Sequence, residues 1–151
     1  MNIENSIEAL NSLIEINNDR IEGYKTAVDQ TDEADLKNLF SECIKTSEKC
    51  KSELVSEVRH LNGTPAEGTK TTGKIYRVWM DFKALITGKS RSAILNSCVY
   101  GEEVARDAYM DALNTCSMDL NDQQIALLKT QLAMLKADFT KVKGLKELAT
   151  L

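Results

Sequence analysis

Apolar residues recur along this chain in alternating steps of four and three, the rhythm of helices that bury one seam in a left-handed bundle. In the first segment the seam runs Ile3, Ile7, Leu10, Ile14, Asn17, Ile21, Tyr24 and Val28, with Asn17 as the clear polar intruder. A second helix, opened by Thr31 as N-cap and stopped at Asn62-Gly63, carries Leu36, Phe40, Cys43, Ser47, Cys50, Leu54 and Leu61, so its middle is small and weakly polar. A third long helix, starting near Ser90 or Ser92, presents Leu95, Cys98, Glu102, Ala105, Tyr109, Ala112 and Cys116, and here Glu102 puts a charge on the seam. The fourth, capped near Asn121, reads Ile125, Leu128, Leu132, Leu135, Phe139 and Val142 without a polar interruption, which predicts a dry face.

The long connection between the second and third of these helices decides the expected topology. An up-down-up-down bundle needs only a short loop there, whereas this connection includes NGTPAEGTKTTG and a further amphipathic stretch, Ile75 to Ile86. Extended, the first part covers up to about 40 Å and the helix another 18 Å or so, enough to return along a bundle about 40 Å tall. The expectation is an all-α, ferritin-like four-helix bundle, up-down-down-up, with a short helix in the crossover and a single domain over residues 1–151. That crossover helix, IYRVWMDFKALI, gathers Ile75, Val78, Trp79, Phe82, Leu85 and Ile86 on one side. It reads as a lid on the bundle; docking a partner is the alternative.

Composition agrees and narrows the class. Of the 151 residues, 42% are hydrophobic, 28% charged and only 5% aromatic, with one Pro, which suits helices rather than a β-sandwich. A net charge of -4 gives no general attraction to nucleic acid or anionic membrane, and neither is expected as a partner. With no signal-peptide pattern at MNIENSIEAL and no long apolar run, a cytoplasmic, soluble protein is expected. The four cysteines are then expected as thiols. Along their helices Cys43 and Cys50 stand about 10 Å apart and Cys98 and Cys116 about 27 Å, too far for a disulfide within either pair; a bridge between helices stays open.

The first and third helices resemble each other: Asn17 precedes Tyr24 by seven residues as Glu102 precedes Tyr109. A seam carboxylate seven residues before a Tyr on these two helices resembles ferritins and rubrerythrins, where the resemblance implies Glu-x-x-His on the second and fourth helices and two irons within the bundle. The opposing slots here fall near Ser47 and Cys50 and near Leu132 and Leu135, leaving Glu102 as the one carboxylate of the set. One carboxylate does not hold two irons. The whole chain is similar to a bacterial family of small ferritin-like four-helix-bundle proteins of unknown function, through LIEINNDRIEGY, VWMDFKALITGK and AILNSCVYGEEVARDAY. That resemblance implies a fold and no activity.

Two readings of the polar seam residues remain. In one, Asn17, Tyr24, Ser47, Cys50, Glu102 and Tyr109 form a hydrogen-bonded layer that fixes register. In the other, Glu102 and its polar neighbours hold one metal ion or a small polar ligand, since a buried carboxylate without a cation or donors takes up a proton. Glu57 and His60 have Glu-x-x-His spacing but lie in the last turn of the second helix, where a surface histidine near a helix C-terminus is the better account. Glu15, Asp19, Glu22, Glu103 and Asp107 are expected on solvated faces. No nucleophile has a base beside it in sequence, and Gly-rich phosphate loops and CxxC pairs are lacking. The expected function is a non-catalytic bundle with a degenerate di-iron site and no cofactor, acting through protein contacts or stress-related assembly as a homodimer or higher homo-oligomer. Leu13, Ile16, Leu127 and Met134 would pack the crossover helix or a second subunit. The alternative is a metal-binding or redox protein centred on Glu102.

Overall fold

The computed structural model describes residues 2–69 and 90–149. Among them are four long α-helices and no strand: α1 (Ile3–Gln30), α2 (Ala34–His60), α3 (Arg91–Thr115) and α4 (Asp122–Ala149), with a 3-10 turn, Ser117–Asp119, between the last two. The expected crossover helix, with Trp79, lies outside the described residues.

Local chemistry sets the helix ends. The side chain of Asn2 accepts from the Asn5 amide at 3.1 Å, and that of Ser90 from the Ala93 amide at 3.0 Å, each satisfying one of the free N–H groups of a first turn. At α4 the cap is reciprocal: Asn121 Oδ1 accepts from the Gln124 amide at 2.7 Å while Gln124 Oε1 accepts from the Asn121 amide at 3.0 Å. The expected cap Thr31 is displaced, because Thr31 terminates α1 and its hydroxyl accepts from Glu33 N at 3.2 Å, so that α2 begins three residues later. The end of α2 closes as expected. Asn62 takes a left-handed φ of 61°, the Gly63 amide reaches back to Val58 O at 2.9 Å, and the Asn62 amide to Arg59 O at 2.9 Å. Space at 63 is tight, since a Cβ there would come within 2.9 Å of the Ile7 side chain, which would have to shift.

α1 packs on α2 and α3, and α4 packs on α3 and α2. At one end Ser6 Oγ donates to Asp119 O, placing the start of α1 against the turn after α3. At another point Arg91 pairs with Asp35 at 2.7 Å and Glu33 at 2.9 Å, tying the start of α3 to the start of α2. Beyond α2 the chain runs beside α1: Asn11 bonds the backbone of Thr64 and Ala66, and Asn18 Nδ2 donates to Gly68 O at 2.7 Å.

Two apolar clusters fill the interior. One gathers Tyr24, Leu36, Phe40, Cys43, Leu95, Cys98 and Val142, the other Leu10, Ile14, Leu54, Val58, Tyr109, Leu128 and Leu135. On every helix a buried polar residue falls between the two: Asn17 and Arg20 on α1, Ser47 on α2, Glu102 on α3 and Asp138 on α4. Among the described residues no helix is long and apolar enough to cross a membrane.

A candidate functional site built around a buried guanidinium

Arg20 has no exposed surface, and its guanidinium reaches all three other helices. Nε donates to Glu102 Oε1 at 3.0 Å and Nη2 to the same oxygen at 2.5 Å. Nη2 also reaches Asp138 Oδ2 at 3.3 Å, and Nη1 donates to Ser47 Oγ. The Tyr24 hydroxyl adds a third donor to Glu102 Oε1 at 2.5 Å, and the guanidinium carbon stands 5.5 Å from the Tyr24 ring centre. Tyr24 is held in turn by Phe40, whose ring centre lies 5.5 Å away. A planar fork with five N–H groups suits this geometry, because one side chain can address partners on several helices at once.

One turn away a neutral chain continues the layer. Asn17 Nδ2 donates to Leu13 O and to the Tyr109 hydroxyl, both at 2.9 Å. The Tyr109 hydroxyl donates to Gln131 Oε1 at 2.7 Å, and Gln131 Nε2 donates to Cys50 O and to Glu53 Oε1, each at 3.2 Å. The Cys50 thiol lies beside the Tyr109 hydroxyl.

Each of the six sequence-predicted residues, Asn17, Tyr24, Ser47, Cys50, Glu102 and Tyr109, is buried in this layer. Asp19, Arg20, Gln124, Gln131 and Asp138 are also buried and escape the seam pattern. Arg20 was passed over for Ile21 as the seam position. α4 is not dry, because Gln124, Gln131 and Asp138 are buried seven residues apart beside the apolar column that includes Leu132 and Leu135. Asp19, expected on a solvated face, is 2% exposed. His60 is exposed in the last turn of α2, away from the layer.

Charge and burial act against each other here. Burial raises the Glu102 pKa above the usual 4.5, and the Arg20 charge and the Tyr24 hydrogen bond only partly hold it down. Burial is the largest single influence and works against the Arg20 charge, yet Glu102, Tyr24 and Cys43 together outweigh it and keep the guanidinium firmly protonated. A folded-state pKa above the unfolded one means the folded protein binds the proton more tightly. This contribution to stability is complete below pH about 4.5 and is lost as pH rises through the folded value. Denaturant titrations at a series of pH values are therefore expected to show wild type losing stability relative to Glu102→Gln as pH climbs from about 4.5. Asp35, lowered chiefly by its hydrogen bond to Arg91, acts in the opposite sense in both proteins and cancels in the difference. A wild-type stability that, taken relative to Glu102→Gln, stays flat or rises with pH would refute this.

Burial also pushes the thiols up, Cys50 to about 11 and Cys43 and Cys98 further. All four cysteines are free, and Cys116 is the one that reaches the surface. A disulfide reagent at pH 8 is expected to modify one thiol per folded chain and four after denaturation, because the thiolate is the nucleophile and three thiols are both buried and protonated. Rapid modification of two or more in the folded state would contradict the burial.

The family described as a domain of unknown function (DUF2383) matches residues 5–115. The chain belongs to that family. The DUF2383 match takes in α1, α2 and α3, and with them Asn17, Arg20, Tyr24, Ser47, Glu102 and Tyr109, whereas Gln131 and Asp138 lie on α4 beyond it. No curated protein and no solved structure matches the chain.

The donor set does not fit the pair of irons that a ferritin-like pattern implies. A guanidinium lies against Glu102 and Asp138 where metal ions would need oxygens, and Asn17, Ser47 and Gln131 supply neutral groups. Among the described residues no group of three His, Cys, Asp or Glu side chains comes close enough to share one ion.

Proposed function

We propose that this member of the DUF2383 family is a non-catalytic, ferritin-like bundle in which Arg20 provides the positive charge that metal ions supply in a di-iron centre, leaving a degenerate site. The supporting observation is that one buried guanidinium bonds Glu102, Ser47 and Asp138 on three different helices. Such an arrangement spends its polar groups on each other. It fixes the register of four helices.

The up-down-down-up course belongs to this proposal. Its support is the pairing of Arg91 at the start of α3 with Asp35 at the start of α2, and of Ser6 at the start of α1 with Asp119 in the turn after α3. With its chemistry turned inward, the protein acts through its outer faces, as a single-domain cytoplasmic homodimer or larger homo-oligomer in stress-related assembly. Ile3, Tyr100, Met110 and Met118 stand exposed and offer apolar contacts. The experiment is sedimentation at micromolar concentration, joined to elemental analysis of protein purified without chelator. An oligomer without stoichiometric metal is expected; a monomer removes the assembly, and metal lost in Glu102→Gln removes the non-metal reading. That second outcome belongs to the alternative, a metal-binding or redox protein using Glu102, which one feature favours: Glu102 Oε2 has no donor among the described residues.

A further inference from the structure

Two buried oxygens in the layer accept nothing from the described residues: Asn17 Oδ1 and Glu102 Oε2. Rotating the amide of Asn17 does not help. Its Nδ2 is pinned by Leu13 O and by the Tyr109 hydroxyl. That hydroxyl spends its own hydrogen on Gln131 Oε1, and Gln131 is pinned through Nε2 by Cys50 O and Glu53. A flipped Asn17 would aim an oxygen at the Leu13 carbonyl. Glu102 is as lopsided, with Arg20 Nε, Arg20 Nη2 and the Tyr24 hydroxyl all on Oε1. Arg20 Nη1 carries two hydrogens, and one of them goes to Ser47. The layer therefore holds two acceptors that require donors, and a donor with a hydrogen to spare, all on residues one turn apart or directly bonded.

We propose that one water molecule is bound inside the bundle between Asn17 and Glu102, donating a hydrogen to Asn17 Oδ1 and the other to Glu102 Oε2, with its lone pairs turned to the Arg20 guanidinium. The inference rests on the non-metal reading of this site and names its ligand. Water has the needed two donors and is neutral. Buried waters typically make about three such bonds to polar groups that protein alone leaves unpaired. A metal cation also suits two acceptor oxygens, but it would stand beside the guanidinium already bonded to the same carboxylate, and the like charges repel. A proton on Oε2 would satisfy both oxygens only if they touched, and it would remove the negative charge that three donors already address.

The test is oxygen-17 relaxation dispersion on the full chain, which counts waters residing inside a protein for longer than it tumbles. Asn17→Leu is expected to hold one fewer such water than wild type; an equal count overturns the proposal. Should Asn17→Leu fail to fold, nuclear Overhauser contacts in the unsubstituted protein decide. Cross-peaks from a long-lived water to the Asn17 amide hydrogens support the site, and their absence overturns it. Elemental analysis of the same samples separates the failures: no such water and no metal refutes this inference alone, whereas stoichiometric metal refutes the reading beneath it as well.

Discussion

Replacing Arg20 with Met is expected to destabilise the protein by about 3–5 kcal/mol, the usual consequence of removing one partner of a buried ion pair. Glu102 is 1% exposed and would lose two of its three donors, keeping only the Tyr24 hydroxyl. Its charge could not reach water, so it would take up a proton or open the bundle. Ser47, itself fully buried, would lose its donor at the same time. Set against a total stability of about 5–15 kcal/mol for a domain of this kind, such a loss is large. Urea denaturation would show it as a lowered midpoint with the slope little changed. A shift worth less than about 1 kcal/mol, the scale of an exposed pair, would mean that Arg20 is not a buried cation.

The second large effect is a rescue. Arg20→Met combined with Glu102→Leu is expected to recover most of that loss, because desolvating two charges offsets much of what their attraction contributes, and apolar side chains of similar volume avoid both. Two apolar clusters already flank the layer and would merge through it. Asp138 limits the recovery, since it is buried and loses the Arg20 guanidinium that it accepts from. The Tyr24 and Ser47 hydroxyls limit it too, each left with fewer partners at about 1 kcal/mol apiece. In a double-mutant cycle the coupling between positions 20 and 102 should therefore exceed about 2 kcal/mol. Additive single losses would show that the two residues do not act as a pair. The double variant is also expected to lose the pH-dependent difference attributed to Glu102.

The helices and most of their ends were legible in the sequence because apolar period and capping chemistry are local. Ser90, Asn62-Gly63 and Asn121 all carry signals within a few residues of the bond they make, whereas the cap at Asn2 was not read. Thr31 misled because Glu33 could begin α2 without a side-chain cap, freeing Thr31 to close α1. The middle of the site was only half legible. A seam step of four after Asn17 selects Ile21, whereas the step of three used on α3, from Glu102 to Ala105, selects Arg20, and both columns are buried. The internal repeat held the answer: Glu102, Ala105, Tyr109 and Ala112 align with Asn17, Arg20, Tyr24 and Ala27, so the guanidinium stands where its counterpart helix has a methyl group. On α4 the apolar column of Leu128, Leu132 and Leu135 masked the polar one beside it, because a helix held by two neighbours buries more than one stripe. Which helix Arg20 addresses depends on contacts far apart in sequence, and no periodicity encodes those.

The most direct test is a crystal structure of the protein purified from cells grown with excess iron, manganese and zinc, with anomalous scattering recorded at each metal's absorption edge. The expected map shows the Arg20 guanidinium bonded to Glu102 Oε1, with no anomalous peak between α1, α2, α3 and α4. A metal ion held by Glu102 and Asp138, with Arg20 swung out to solvent, would contradict it.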